Sequence, residues 1–385
     1  MTTTANCTNA TRVGEVAPGV ASAHGRTPAC ELGDVPVYLV GPARHKFEVC
    51  PEGDSIRVTP RQSLDCRHTI RPVALFDNAR GYADLNAIMG RLVFPNGSAA
   101  GQVYRPFTLD PQRRLRQLYL PIEVMPDDDW HTAPVRWRNA CTLLEPLLST
   151  AGVPWRGLSG DEIDTLVTYV DWPDPLEGCL LHALTQWTHH LGRAVIEIGS
   201  FRGRSLSMLA MGLEGAGCES AVISVDPHIE QPFNRQHVQV RMREIGQEDR
   251  LIQVLRRSGD AARLLRPETA SLVFVDGDHS YDQVVADFAN YRHLLAVGGC
   301  MLFHDYGYGA HQGQEDVCPG VGPAVDEHVL TDPAFKPLVL VDTTFAFVKT
   351  TTSAPATAAA GQARRLPEPN PSAGRRPCCG ISPGA

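Results

Sequence analysis

The residues with the clearest chemical potential lie in two short polar segments, each of which follows an apolar run. Residues 276–281 (Asp-Gly-Asp-His-Ser-Tyr) follow the apolar run 271–275, and residues 304–306 (His-Asp-Tyr) follow the run 300–303. Acids and histidines at the end of a buried strand are costly unless they are used or paired. Because these groups can bind a divalent metal or take up a proton at neutral pH, both segments are candidates for a reactive site.

Polar residues also follow the other apolar runs. Residues 197–205 (Glu-Ile-Gly-Ser-Phe-Arg-Gly-Arg-Ser) contain two glycines that allow a tight turn and the close approach of a ligand. The spacing is not Gly-x-Gly-x-x-Gly, so the segment predicts either a site for a ligand without a pyrophosphate or a plain structural turn. Asp226 can accept hydrogen bonds from a ribose diol or begin a turn before Pro227. Asp260 can contact an adenine edge or cap a helix.

The elements that must position these residues alternate between strand and helix. Apolar runs predict five strands, at 194–198, 221–225, 251–255, 271–275 and 300–303. Helical periodicity fits between them, and two last strands are predicted at 338–341 and 345–349. The sequence therefore predicts an α/β fold with a doubly wound, seven-stranded, mostly parallel sheet. Ligands bind at the carboxyl ends of such strands, where neighbouring strands four and five would bring Asp276, His304 and Asp305 together.

The remaining chain divides into three segments by composition. Residues 1–30 and 351–385 lack the apolar content to offset the entropy of ordering, so we expect both to be disordered. Residues 31–150 contain runs that predict short strands and one helix, and we expect a smaller N-terminal α+β accessory domain for substrate recognition or for forming a homo-oligomer. Pro36 would place its strand at a sheet edge. The site domain would span residues 151–350.

Composition excludes several classes of function. The 385 residues carry a formal net charge of -8, so no overall basic field attracts nucleic acid or an acidic membrane. No segment approaches the ~18 uninterrupted apolar residues of a membrane span. The first residues do not have the pattern of a secretory signal, so we expect a cytoplasmic protein. The 11 cysteines show no Cys-x-x-Cys pair of the kind typical of structural zinc sites.

Taken together, the segments at 197–205, 226–227, 276–281, 298–299 and 304–306 resemble a branch of the class I S-adenosylmethionine methyltransferases. The most similar members are the small-molecule O-methyltransferases of the macrocin and mycinamicin sugar type, and the catechol-type enzymes are more distant. The resemblance covers about half of the chain. Its motifs are more specific for the fold and cofactor than for the acceptor.

The resemblance implies roles for individual residues. Glu197 and Gly199 would lie beside the methionine part of S-adenosylmethionine, within a cofactor loop that also includes Ser200, Gly203 and Ser205. Asp226 would hold the ribose hydroxyls and Asp260 would lie near the adenine. Asp276 would border the cofactor. With Asp305, it would also match the family's metal ligands, which usually bind magnesium.

His279 matches the position of the family's general base, although it could instead cap the helix that follows. The family usually has two adjacent acids where this chain has His304-Asp305. Imidazole suits zinc, iron or nickel better than magnesium. Either the metal differs, or His304 only bonds a substrate, or no metal is bound. The leading hypothesis is O-methylation of a small-molecule hydroxyl. The alternatives are a non-catalytic cofactor-binding or interaction domain and a nucleotide-dependent oxidoreductase.

Overall fold

The structure, a computed structural model, describes residues 28–32, 35–41, 44–52, 55–61, 68–70, 73–76, 92–94, 102–104, 115–124, 133–170, 174–229, 231–307 and 318–352. The disorder expected for the two ends of the chain falls almost wholly on residues outside these ranges, so it stays a prediction. The described part includes no helix with both the length and the apolarity that a bilayer span requires.

The N-terminal part of the described chain is mainly strand. Its strands are β1 (Cys30–Leu32), β2 (Val35–Val40), β3 (Phe47–Glu52), β4 (Ser55–Pro60), β5 (His68–Ile70), β6 (Val73–Phe76), β7 (Leu92–Phe94), β8 (Gln102–Tyr104) and β9 (Leu115–Val124). Two helices follow, α1 (Ala133–Thr150) and α2 (Gly160–Thr165), and a π-helical turn (Leu166–Val170) continues α2. A capping box starts α2, because the Ser159 side chain accepts from the Glu162 amide and the Glu162 carboxylate accepts from the Ser159 amide.

From residue 175 onward, helices and strands alternate as the sequence predicts. The helices are α3 (Pro175–Thr188), α4 (Arg204–Gly215), α5 (Asn234–Glu244), α6 (Ser258–Ala262), α7 (Tyr281–Tyr291) and α8 (Val321–Ala324), the last continued by a π-helical turn (Val325–Val329). The strands are β10 (Ala194–Ile198), β11 (Val222–Val225), β12 (Leu251–Val254), β13 (Ala270–Val275), β14 (Leu295–Phe303), β15 (Phe335–Val341) and β16 (Thr344–Lys349).

These seven strands form the predicted doubly wound sheet in the order β12-β11-β10-β13-β14-β16-β15. The first five are parallel neighbours, and β16 enters antiparallel to both β14 and β15. Helices cover both faces. Leu302 packs in the same core as Leu180 and Leu209, whereas its neighbours Met301 and Phe303 face the core that holds residues of α6, α7 and α8. This two-sided burial explains the continuous apolar runs.

The sheet does not end at its seventh strand. β15 pairs antiparallel with β6, and the order continues through β9, β2 and β1. The seven-stranded prediction was therefore too small, because the N-terminal strands extend the same sheet. Pro36 was also wrongly expected at an edge: β2 lies between β1 and β9, although its pairing with β9 begins only at Val37. The boundary between two domains near residue 150 stays a prediction.

Candidate functional site

The carboxyl ends of four parallel strands lie in register at one edge of the sheet. Ile198 of β10 is the register partner of Val225 in β11 and of Val275 in β13, and Val275 is the partner of Phe303 in β14. The residue that follows each strand therefore lies at the same edge. These residues are Gly199, Asp226, Asp276 and His304. The sequence predicted this juxtaposition, and the register confirms it.

The loop after β10 requires glycine at two positions. Gly199 has φ +87°, and a Cβ there would lie 2.0 Å from the carbonyl oxygen of Asp276. Gly203 has φ +77° and starts α4, where a Cβ would lie 3.3 Å from Val238. A side chain at Gly199 would collide with the backbone after β13. The glycine therefore allows the loop after β10 and the segment after β13 to lie in close contact. This loop forms one wall of the candidate cofactor site.

Glu197 is a fully buried acid on β10. Neither of its carboxylate oxygens makes a hydrogen bond of good geometry within the described structure. Burial, together with the negative charges of Asp276 and Asp226, raises the pKa of Glu197 to about 8, because the nearby hydroxyls of Ser205 and Ser200 offset the shift only in part. The carboxyl group is therefore mostly protonated at neutral pH unless a cation is bound beside it.

Asp226 binds the backbone of two loops. Its Oδ2 accepts from the Phe201 amide at 2.9 Å, and its Oδ1 accepts from the His228 amide at 2.7 Å. Asp226 therefore has the turn role that the sequence left open. His228 Nδ1 also lies 3.3 Å from Oδ1, so Oδ2 is the oxygen that offers a second lone pair for a ribose contact. A cleft of about 450 Å³ adjoins this residue and is lined in part by Pro227, His228 and Leu255.

Asp260 lies in the first turn of α6 and is largely exposed, with its Oδ1 3.1 Å from the Arg263 guanidinium. Arg257 occupies the N-cap position of α6, so Asp260 lies within the first turn and does not cap the helix. A contact between Asp260 and an adenine ring stays a prediction.

An acid–histidine cluster forms where β13 and β14 end. His304 Nδ1 lies 3.1 Å from Asp276 Oδ1 and 3.2 Å from Asp305 Oδ1. His279 Nε2 lies 3.4 Å from Asp276 Oδ1 and 3.3 Å from Asp305 Oδ2. All four residues were predicted from the sequence to be site residues, and the structure brings them into one cluster. Their individual roles stay predictions.

The electrostatics of this cluster favour charged imidazoles. Burial alone would lower the pKa of His304, but the charges of Asp276, Asp305 and Glu177 outweigh it and raise the pKa well above its ordinary value. The pKa of His279 is also raised, because its hydrogen bond to Asp276 and the charge of Asp305 outweigh burial. Conversely, although burial works against the charged form, the imidazoles hold the pKa of Asp305 below its usual range.

Sequence reasoning missed two residues of the cluster. Glu177 is buried in α3, with its Oε2 3.4 Å from His304 Nε2 and its Oε1 accepting from the Thr343 amide at 3.1 Å. Cys318 is buried before α8, with its Sγ 3.4 Å from His279 Nδ1 and 3.4 Å from Asp305 Oδ2. Glu177 follows no predicted strand, and Cys318 lies in the long loop after the strand predicted at 300–303, a loop that the sequence marks only as a candidate wall for the acceptor.

Three ligand atoms of Asp276, His304 and Asp305 lie within 4.8 Å of one another, so they can meet at one metal ion. Magnesium prefers oxygen ligands and near-octahedral geometry. Here an imidazole supplies one of three positions, and a thiol lies on the far side of Asp305. This donor set does not fit the magnesium ion that the resemblance implies.

Comparison with known proteins places these segments in one matched region. Residues 196–306 match the model of a family described as a methyltransferase domain. The matched region begins in β10 and ends at Tyr306, so it contains the ends of β10, β11, β13 and β14. No curated protein matches the chain.

Several solved structures are distantly similar to this chain. The O-methyltransferase TomG from Streptomyces achromogenes, solved with S-adenosylmethionine, is 19% identical over 54% of this chain and 96% of its own, with a TM-score of 0.40. An O-methyltransferase from Bacillus cereus is 18% identical over 54% of this chain and 97% of its own, with a TM-score of 0.39. A methyltransferase from Podospora anserina is 15% identical over 60% of this chain and 99% of its own, with a TM-score of 0.41.

Proposed function

We propose that this protein is an S-adenosylmethionine-dependent methyltransferase that methylates a hydroxyl group of a small molecule. The observation that carries the proposal is the row of Gly199, Asp226, Asp276 and His304 at the ends of neighbouring parallel strands. Parallel sheets bind their ligands at this edge. The match of residues 196–306 to a methyltransferase domain covers the same edge and supports the proposal.

The residues after β10 and β11 would hold the cofactor. S-adenosylmethionine, when bound, supplies a methyl group on a positively charged sulfur. Gly199 allows the ligand to approach the backbone, and Asp226 offers lone pairs to the ribose hydroxyls. The proposal also accounts for the buried Glu197, because a cationic ligand nearby would stabilise the charged carboxylate that burial disfavours.

His279 would act as the general base. The oxygen of the acceptor hydroxyl forms a bond to the methyl carbon as the carbon–sulfur bond breaks, and the electron pair of that bond stays on sulfur. The hydroxyl proton goes to Nε2 of His279, whose charge the carboxylates of Asp276 and Asp305 then stabilise at 3.4 and 3.3 Å. His304 would hold these carboxylates in place from the other side.

A sugar hydroxyl of a natural product is the acceptor class that we favour, because the motifs resemble the macrocin and mycinamicin type. The formal net charge of -8 makes nucleic acid an unfavourable acceptor. The same motif pattern also fits other small hydroxylated molecules. An acceptor screen with glycosides and catechols, followed by mass spectrometry of the products, would separate these classes.

Calorimetry tests the cofactor assignment directly. The full chain should bind S-adenosylmethionine and S-adenosylhomocysteine, and should bind them in preference to NAD. Asp226→Asn should weaken this binding by about tenfold or more, because a charge-assisted hydrogen bond is worth roughly 1.5–3 kcal/mol. Asp249→Asn, an exposed acid next to β12, is the matched control and should bind as the unaltered protein does. The proposal fails if neither sulfur compound binds, and preferential binding of NAD would favour an oxidoreductase.

His279→Ala separates an enzyme from a non-catalytic binding domain. If His279 is the base, the variant should bind the cofactor normally and lose about 10²–10⁴-fold in kcat. Unchanged turnover by His279→Ala would contradict the assigned base. Cofactor binding without turnover on any acceptor by the unaltered protein would favour the non-catalytic alternative.

A further inference from the structure

We infer that Cys318, His279 and Asp305 form a binding site for one thiophilic divalent metal ion of the zinc class. Three separate elements supply them, since Cys318 precedes α8, His279 precedes α7 and Asp305 follows β14. One ligand atom from each residue lies within 4.8 Å of the other two. This donor set differs from the predicted set of Asp276, His304 and Asp305, and it goes beyond the proposed methyl transfer.

The two separations that involve the Cys318 sulfur fit tetrahedral coordination. Zinc binds sulfur at about 2.3 Å and nitrogen or oxygen at about 2.0–2.2 Å, so neighbouring ligand atoms at a tetrahedral ion lie roughly 3.3–3.7 Å apart. Cys318 Sγ lies 3.4 Å from His279 Nδ1 and 3.4 Å from Asp305 Oδ2. Both separations fall inside the expected range. Asp305 Oδ2 also lies 3.3 Å from His279 Nε2, so the Asp305 carboxylate would have to turn away from Nε2 to bind an ion held at Nδ1.

The opposite side of the His279 ring has the partner that a metal-binding histidine needs. Histidine ligands commonly donate their second ring N–H to a carboxylate, which fixes the ring and its tautomer. Here Nδ1 faces the thiol of Cys318, and Nε2 lies 3.4 Å from Asp276 Oδ1. Asp276 would thus support the site without binding the ion.

The donor chemistry selects the class of metal. A thiolate and a carboxylate bring two negative charges, which match a divalent ion in a buried site. Thiolate ligands favour zinc and similar transition metals over magnesium and calcium, which prefer oxygen. As the ion binds, the thiol proton of Cys318 is released to solvent, and a charged His279 also releases its Nδ1 proton.

The protein backbone holds Cys318 beside His279. A Cβ at Gly320 would lie 2.2 Å from the Tyr281 amide nitrogen and 2.4 Å from the His279 carbonyl oxygen. Gly320, two residues after Cys318, therefore packs directly on the backbone of residues 279–281. Cys318 itself is 2% exposed. This close packing sets the separation of the two ligands before any ion arrives, and it lowers the ordering cost of binding.

Metal binding has a consequence for the proposed base, and this one consequence rests on the proposed function. With the ion on Nδ1 and a proton on Nε2, the imidazole of His279 has no lone pair left for the acceptor's proton. The metal-bound protein would therefore be inactive in methyl transfer. A zinc-class ion would act as an inhibitor that competes with the base function of His279.

Cobalt(II) is the probe for this site. The full chain, freed of metal with a chelator, should bind one cobalt ion and show the near-ultraviolet thiolate-to-cobalt charge-transfer band, and zinc should displace the ion. Cys318→Ser should abolish the band. Losing a residue that only supports a metal ligand typically weakens metal binding about 10–100-fold, so losing the Cys318 ligand should weaken zinc binding, measured by calorimetry, by at least this factor. Cys218→Ser, a thiol at the opposite end of the sheet that bonds Ser220, is the matched control and should keep the band.

The absence of a charge-transfer band, or its survival in Cys318→Ser, would overturn the site. If Cys318→Ser does not fold, alkylation of the unaltered chain decides, because zinc should slow modification of Cys318 and leave Cys218 unaffected. Equal rates of Cys318 modification with and without zinc would also overturn it. Cofactor binding by the same metal-free samples is measured separately, so failure of the metal site and failure of the proposed function give different results.

Discussion

Glu197 shows how one buried ionisable residue can cost stability. A buried carboxyl group on a central strand has no structural advantage over an amide or an apolar side chain. Its raised pKa, about 8, means that the folded protein retains a proton that the unfolded chain loses near the ordinary value of 4.5. Between these two values the stability of the fold must fall as pH rises, because the unfolded state binds fewer protons.

We expect Glu197→Gln to remove this pH dependence. The variant should unfold at the same temperature as the unaltered protein near pH 4, where both side chains are neutral. Its advantage should grow towards pH 8 and reach a few kcal/mol, on the order of the shift of the Glu197 pKa. Thermal unfolding monitored by circular dichroism across this range measures it. Glu214→Gln, an exposed position on α4, is the control and should show no such trend. A constant difference at every pH would contradict the burial argument.

His279 carries a second prediction at this scale. Only the neutral imidazole can accept a proton, and the neighbouring carboxylates raise its pKa above the ordinary 6.5. The kcat/KM of the metal-free protein should therefore rise with pH through a limb that lies above 6.5.

Asp276→Asn removes the hydrogen-bonded carboxylate that raises this pKa, so the limb should move to lower pH even though overall activity falls. The position of the limb, not the rate, is the readout. A limb that keeps its position in Asp276→Asn would show that another group titrates.

At the scale of elements, the turn after β10 depends on one close backbone approach. We expect Gly199→Ala to be strongly destabilising, by several kcal/mol, because the added Cβ meets the Asp276 backbone at 2.0 Å in addition to the strain of positive φ. Gly217→Ala is the matched control, since Gly217 also has positive φ, +63°, but has open space around it. Chemical denaturation of both variants compares the two effects. Equal losses would mean that backbone strain alone accounts for the glycine.

The strands of the site domain could be predicted because each is a short apolar run buried on both faces. β10 was located at its observed residues, 194–198, whereas β14 begins five residues earlier than predicted because its start pairs with Ala270. The strand ends then identified Asp276, His279 and His304. Glu177 and Cys318 could not be predicted, since their positions depend on how α3 and the segment before α8 pack over the sheet.

At the scale of the whole molecule, the N-terminal strands and the site domain share one sheet. Val339, Leu340 and Val341 of β15 pair with Leu75, Ala74 and Val73 of β6. If the two parts separated, each would expose unpaired backbone N–H and C=O groups along this strand edge. We therefore expect one cooperative unfolding transition for the described part of the chain, with tryptophan fluorescence and far-ultraviolet circular dichroism coinciding.

Ala74→Asp tests this coupling. The side chain is fully buried in β6, so an added carboxylate should cost several kcal/mol and lower the unfolding midpoint of the whole sheet, including the candidate cofactor site. Val135→Asp, an exposed position on α1, introduces the same charge and should leave the midpoint nearly unchanged. The rise of the unfolding midpoint on addition of S-adenosylmethionine, measured on both variants, tests whether the candidate cofactor site unfolds together with the sheet. Separate transitions, with only the first one lowered in Ala74→Asp, would instead establish residues 31–150 as an independent accessory domain.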